Sequence, residues 1–109
     1  MIYKELPAEG IPVIQASDIR SSDDIILNAD VVVVGSGVGG SVIAHELAAA
    51  GKSVIILEAG RYVPSSQFTE DMAWALENLY QDVGTQTNTV GDTVVLQGRC
   101  IGGSSVVSA

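Results

Sequence analysis

Residues 30–60 read Asp30-Val-Val-Val-Val-Gly-Ser-Gly-Val-Gly-Gly-Ser-Val-Ile-Ala-His-Glu-Leu-Ala-Ala-Ala-Gly-Lys-Ser-Val-Ile-Ile-Leu-Glu-Ala-Gly60. The run Val31–Val34 is too short for a helix, and its β-branched side chains predict a strand buried on both faces. Gly35, Gly37 and Gly40 follow in the spacing G-x-G-x-x-G. An alanine-rich stretch to about Ala50 predicts a helix that Gly51 ends with a left-handed cap. Ser53–Leu57 predicts a second buried strand, ending on Glu58. The whole is one βαβ unit with a dinucleotide-binding fingerprint.

Each glycine has a physical task in this reading. Gly35 allows the tight turn out of the strand, Gly37 lets a pyrophosphate approach the backbone, and Gly40 lets the helix pack close to the strand. The unpaired N–H groups of the first helical turn then face the phosphates, aided by the helix dipole. Glu58 stands 18 positions after Gly40, near the expected acidic position, where a carboxylate accepts both hydroxyl protons of an adenosine ribose. A glycine-rich turn alone is most simply a turn. Here a strand precedes it, a helix follows, and an acid ends the next strand, which is the context a ligand-binding reading requires.

The composition narrows the function classes. With 109 residues, the chain makes one small domain. Hydrophobic residues form 47% of it, which suits a buried α/β core and not a disordered segment. Thirteen acids against five bases give a net charge of −8, which argues against nucleic acid or an anionic membrane as partner. A dinucleotide held by backbone amides stays compatible with that charge. The single cysteine, Cys100, has no internal disulfide partner, in keeping with a reducing compartment. No apolar run approaches a membrane span, and Met1-Ile-Tyr-Lys-Glu-Leu-Pro7 lacks a signal-peptide core. The expected location is the cytoplasm.

Outside the βαβ unit the pattern is plainer. Residues 1–28 read as a polar lead-in, with Ile11–Gln15 as a short edge strand and Asp18–Asp24 as a solvated acidic turn. Ile25–Leu27 packs on the first strand or forms a small one. In the first helix Val38, Val42, Ile43 and Leu47 suit one buried stripe, with Ala44, Ala48 and Ala49 permitting close approach. His45, the only histidine, reads as a helix-surface residue, because only the first turn of that helix meets the phosphates. Thr69 is the expected N-cap of a second helix, with Glu70 and Asp71 in its first turn. Phe68, Met72, Leu76 and Leu79 recur at helical spacing, and Trp74 and Tyr80 read as ordinary core. That helix is expected to end near Asp82, with Gly84 as stop signal. Thr87–Val90 and Thr93–Gln97 flank Gly91-Asp92, which predicts a hairpin with a type II′ turn.

The chain then enters Gly98-Arg-Cys-Ile-Gly-Gly-Ser-Ser105. Two glycines and two hydroxyls can bring backbone and side-chain donors to an anion or a polar ring. Together, Asp30–Gly60 and Gly98–Ser108 resemble the N-terminal part of the glucose–methanol–choline (GMC) oxidoreductases. In that family a G-x-G-x-x-G unit ending in L-E-A-G, here Leu57-Glu-Ala-Gly60, is followed by a loop of the type G-[KR]-x-x-G-G-[ST]-S. The resemblance implies FAD, with Gly35, Gly37 and Gly40 around the pyrophosphate, Glu58 at the adenosine ribose, and Val38, Gly39 and Ala59 also among the cofactor-binding residues. Arg99, Gly102, Gly103 and Ser104 would run along the pyrophosphate, ribityl and flavin, with Ser108 near the ring where many members have asparagine. Members that link FAD covalently carry a histidine where Val107 stands, so that link is excluded.

The implied reaction is oxidation of a small-molecule alcohol, with hydride passing to flavin N5 and a histidine near the family's C-terminus taking the proton. No catalytic residue and no metal ligand is therefore expected within these residues. The implied fold class is α/β. It is a Rossmann-like FAD/NAD(P)-binding βαβ unit (30–60) with a following helix, hairpin and flavin loop (98–105). Residues 29–109 would form the N-terminal part of a domain completed by later segments or by a second chain. Two other readings stay open: an NAD-binding domain of a dehydrogenase, and a non-catalytic remnant that keeps only the fold.

Overall fold

The computed structural model describes residues 12–20, 22 and 24–108. Ile11 of the expected edge strand, Ser21 and Asp23 of the acidic turn, and Ala109 lie outside the described residues. Strand β1 (Val31–Val34) leads into helix α1 (Val38–Ala49), then strand β2 (Val54–Leu57) and helix α2 (Met72–Leu79). Short 3-10 turns occupy Ala16–Asp18, Ser65–Gln67, Gln81–Gly84 and Gly103–Val106.

β1 and β2 pair in parallel, Val31 opposite Val54 through to Val34 opposite Leu57. A parallel pair needs a crossover, and α1 is that crossover. A polar clip holds the entry edge. Asp30 accepts from the N–H and hydroxyl of Ser53, and its own N–H donates to that hydroxyl. Gly51 ends α1 with φ +84°, the left-handed cap its position predicts.

The expectation of strands buried on both faces is corrected. Val31 and Val33 are half-buried, but Val32 and Val34 on the opposite face are 55% and 83% exposed. One helix covers one face of two strands, and no second layer lies among the described residues. The buried stripe on α1 is corrected too, since Val38, Val42 and Ile43 are all more than half exposed. The helix comes in through small residues instead. A Cβ at Gly40 would overlap the carbonyl oxygen of Gly35 and lie 3.3 Å from Val33 Cγ1, and Ala44 is buried one turn on. Close approach at Gly40 and Ala44 leaves the larger side chains on the outer faces.

The remaining expectations shift in detail. Residues 12–15 are not a strand, and Ile25–Leu27 forms none, with Ile26 and Leu27 exposed. The N-cap of α2 is Asp71, whose Oδ1 accepts from Ala73 N–H at 2.9 Å, while Thr69 Oγ1 caps Asp71 N–H. α2 ends at Leu79, before Asp82, because tertiary partners take the next backbone groups. Leu79 O accepts from Arg99 N–H, Tyr80 bridges Gly98, and Gln81 N–H donates to Gln97 O. Asp82 and Val83 then turn left-handed, φ +49° and +55°, an uncommon conformation for a β-branched residue. The expected hairpin is a single antiparallel bridge, Thr87 with Val94. Its loop spans 89–92 rather than Gly91-Asp92, because Asn88 Oδ1 gathers the N–H groups of Gly91, Asp92 and Thr93. Val94, Val95 and Leu96 are exposed and form no strand.

The buried cluster lies away from the sheet. Val63, Leu79 and Cys100 form it, with Trp74, Ala75, Tyr80, Val106 and Val107 packed around them. It secures the segment after Gly98, and so sets where that segment meets the βαβ unit. No helix of the described residues is long and apolar enough to cross a membrane.

Candidate functional site

The site begins where β1 ends. Gly35 turns the chain with φ +91° while its N–H donates to Leu57 O at 2.7 Å, so the turn stays fastened to β2. Gly37 follows as the N-cap of α1. A side chain at Gly35, Gly37 or Gly39 would meet nothing within 4 Å. The open space above these glycines faces the first turn of α1, whose leading N–H groups have no partner within the helix. Space, aligned donors and a positive helix end fit the pyrophosphate of a dinucleotide.

Glu58 stands half-buried at the end of β2, beside this turn. Its Oε2 accepts from the N–H of Ser36 at 2.8 Å and from the Ser36 hydroxyl at 2.7 Å, and its Oε1 accepts from Gly60 N–H at 2.8 Å. Burial pushes this carboxyl up, but donors from Gly60, Ser36 and Ala59 outweigh that and hold it below its ordinary 4.5. Glu58 is therefore an anion at neutral pH. A ribose docking there would share oxygens that already serve the protein's own backbone.

The second glycine loop comes to the same place. The chain at Arg99-Cys100 passes so close to Gly60 that any side chain at Gly60 would overlap that backbone. Arg61 and Cys100 form a parallel bridge. Gly102 and Gly103 turn left-handed, φ +97° and +61°. A Cβ at Gly103 would lie 3.1 Å from Gly37 Cα, so the two glycine turns abut. Gly102 N–H donates to Ser36 Oγ at 3.0 Å.

Among the residues expected at the site, Gly35, Gly37, Gly40, Glu58, Gly102 and Gly103 come together. Val38 and Gly39 stand exposed on the first turn of α1, and Ala59 is exposed beside Glu58. Ser104 and Ser108 hydrogen-bond within their own loop: Ser104 Oγ accepts from Gly98 N–H, and Ser108 N–H donates to Ser104 O. Arg99 brings its backbone to Leu79 and leaves its side chain exposed. His45 lies on the outer surface of α1, 3.5 Å from Glu46 and 80% exposed.

Ser36 is the residue that the sequence reading missed. It is 4% exposed, the one buried polar residue among those described. Its hydroxyl joins Glu58 to Gly102, and its carbonyl accepts from Ser41 Oγ at 2.6 Å. A hydroxyl side chain between the first two fingerprint glycines was the available signal. Its partner lay 66 residues away.

Cys100, buried in the cluster with Val63 and Leu79, has its thiol pushed above the usual range by burial and by the nearby Glu58 charge.

The comparisons agree with this geometry. The FAD binding domain family matches residues 30–97. A long-chain-alcohol oxidase of Arabidopsis thaliana, FAO3, is 41% identical over 86 residues, 79% of this chain and 12% of its own length. The uncharacterized GMC-type oxidoreductase y4nJ of Sinorhizobium fredii is 36% identical over 90 residues, 81% of this chain and 18% of its own. The uncharacterized GMC-type oxidoreductase Rv0492c of Mycobacterium tuberculosis is 36% identical over 105 residues, 94% of this chain and 16% of its own. The chain thus spans less than a fifth of the length of these curated relatives. A βαβ turn with an open glycine-lined face, an ionised acid at the end of β2 and a family that matches over most of the chain lead to one assignment: the chain belongs to the FAD binding domain family, and is similar over that stretch to GMC-type oxidoreductases.

Proposed function

We propose that these residues form the adenosine and pyrophosphate end of an FAD site in an enzyme that oxidises the CH–OH group of alcohols. The observation that carries this is the meeting of the two glycine turns, Gly103 against Gly37, beside the ionised Glu58. The N–H groups at the start of α1 hold the pyrophosphate above Gly35, Gly37, Val38, Gly39 and Gly40. Glu58, with Ala59 beside it, accepts from the adenosine ribose. Gly102, Gly103 and Ser104 line the path toward the flavin, with Arg99 and Ser108 at its margins. When bound, FAD supplies a hydride acceptor for the carbinol carbon. The chain's own part is to bind and orient that cofactor, and the catalytic base comes from outside these residues. The alcohol-oxidase name of the FAO3 relative supports an alcohol as the substrate class.

The exposed apolar face of β1 and β2, with Val32, Val34 and Leu57, supports a domain spanning 29–109 that further strands complete, from the same polypeptide or a second chain. The cytoplasm is the proposed location.

The test is FAD titration of the natural protein's apo form, followed by flavin fluorescence quenching. Glu58→Gln removes a charge-assisted acceptor and turns an amide donor toward the Ser36 or Gly60 N–H. It is expected to weaken FAD by about 1–3 kcal/mol, roughly tenfold to a hundredfold. Unchanged affinity in the variant refutes the ribose assignment. A wild-type protein that neither purifies with flavin nor binds it refutes the whole reading.

A further inference from the structure

We infer that Ser36 is a positioning residue whose hydroxyl ties the Gly102–Gly103 loop to the Glu58 carboxylate, so that the two ends of the cofactor site are set as one unit. The inference rests on the proposed roles of Glu58 at the ribose and of Gly102–Gly103 toward the flavin.

The geometry uses both capacities of the hydroxyl. Ser36 Oγ donates to Glu58 Oε2 at 2.7 Å and accepts from Gly102 N–H at 3.0 Å. A hydroxyl that donates to an anion becomes a better acceptor, so the two bonds strengthen one another. The Ser36 side chain is almost wholly buried, and loss of the hydroxyl would leave Gly102 N–H without its acceptor and Glu58 without one donor. Ser36 N–H also donates to Oε2, so the residue orients the carboxylate from backbone and side chain together. Its carbonyl is held by Ser41 in α1, which fixes the residue from a third side.

Gly102 and Gly103 need such a fastening. Both adopt left-handed conformations, the 3-10 turn Gly103–Val106 follows directly, and Ser105 Oγ donates back to Gly102 O at 2.6 Å. Those bonds shape the loop internally. The bond from Gly102 N–H to Ser36, together with the packing of Gly103 on Gly37, is what holds it against the fingerprint turn.

The consequence is a coupling between half-sites. A group that fills only the adenosine end should gain from Ser36 through Glu58 alone, whereas full FAD should gain from the placed loop as well. Removing the hydroxyl also removes a donor that keeps Glu58 ionised, so the acid limit of nucleotide binding should move up in pH.

The experiment compares wild type with Ser36→Ala, and with Ser36→Thr as the hydroxyl-retaining control, in the natural protein. In the first arm, hydrogen exchange of the apoprotein is followed by mass spectrometry. Ser36→Ala is expected to speed exchange in peptides covering 98–105 on the order of tenfold, with β1 and β2 unchanged. In the second arm, ADP and FAD are titrated across pH. Ser36→Ala is expected to weaken ADP about threefold and FAD about tenfold or more, and to raise the pH at which ADP binding fails, while Ser36→Thr stays near wild type. Ser36→Gly serves the same comparisons if alanine at this buried position disturbs folding. Unchanged exchange at 98–105 in a folded hydroxyl-less variant overturns the tether. Equal losses of ADP and FAD with an unmoved acid limit overturn the coupling. Failure of wild-type protein to bind ADP overturns the ribose assignment alone, and the exchange arm then still decides the tether.

Discussion

Gly37 and Gly40 belong to one fingerprint, yet the structure assigns them opposite sensitivities. Gly37 has φ −63° and ψ −176°, ordinary extended backbone that alanine adopts, and a Cβ there meets nothing within 4 Å. Gly37→Ala gains about 0.4–1 kcal/mol from a less flexible unfolded chain and loses a similar ~0.5–1 kcal/mol at the N-cap. The apoprotein should therefore keep its stability to within about 1 kcal/mol. In the proposed FAD site the methyl instead enters the space assigned to the pyrophosphate, a clash of about 1–3 kcal/mol, or roughly tenfold to a hundredfold in FAD affinity.

Gly40→Ala reverses the pattern. Its Cβ would overlap Gly35 O and come within 3.0 Å of Gly35 C, both backbone atoms that no rotamer change can move. The helix must lift from the strand, which costs about 1–3 kcal/mol or more, against a helix-propensity gain of about 1 kcal/mol. Chemical denaturation of the two apoproteins, paired with FAD titration by fluorescence quenching, measures both quantities. Gly37→Ala should fail in binding with stability intact, and Gly40→Ala should lose stability first. Wild-type FAD affinity in Gly37→Ala, or a stability loss there equal to that of Gly40→Ala, refutes the reasoning.

Two further predictions concern titration. Glu58 is held below its ordinary 4.5, so FAD binding should persist through mild acid and fail only as pH falls below about 4.5, together with the stability that the ionised carboxylate contributes; FAD affinity measured from pH 7 to 3.5 checks this, and a midpoint above pH 5 contradicts it. The Cys100 thiol is raised in the folded state above its ordinary 9.0, so its contribution to stability is intact below pH 9 and is lost as pH rises through and beyond that value. In the native apoprotein at pH 8, Ellman's reagent should label it on the order of 100-fold more slowly than in denaturant, and equal rates would show that the thiol is not buried.

The sequence by itself determined the βαβ unit, its boundaries to within a residue or two, and that its ligand is a dinucleotide. That information is local: a valine run, glycines at fixed spacing and an acid at the end of the next strand each act within one element or one turn. His45 was legible for the same reason, since its place mid-α1 puts it away from the first turn. Tertiary structure decided what depended on distant partners. α2 stopped at Leu79 because Gln97–Arg99 took the following backbone groups. The face of α1 that packs was set by how closely Gly40 and Ala44 approach the strands, not by where the large apolar residues recur. The turn at 88–93 formed around the Asn88 side chain, with Gly91 at φ +80° inside the loop and not at its head. Above all, Ser36 became a junction only when residue 102 was folded onto it. A serine between two glycines carries no mark of a hydrogen bond made across 66 positions, because the chain must first close that loop before the bond exists.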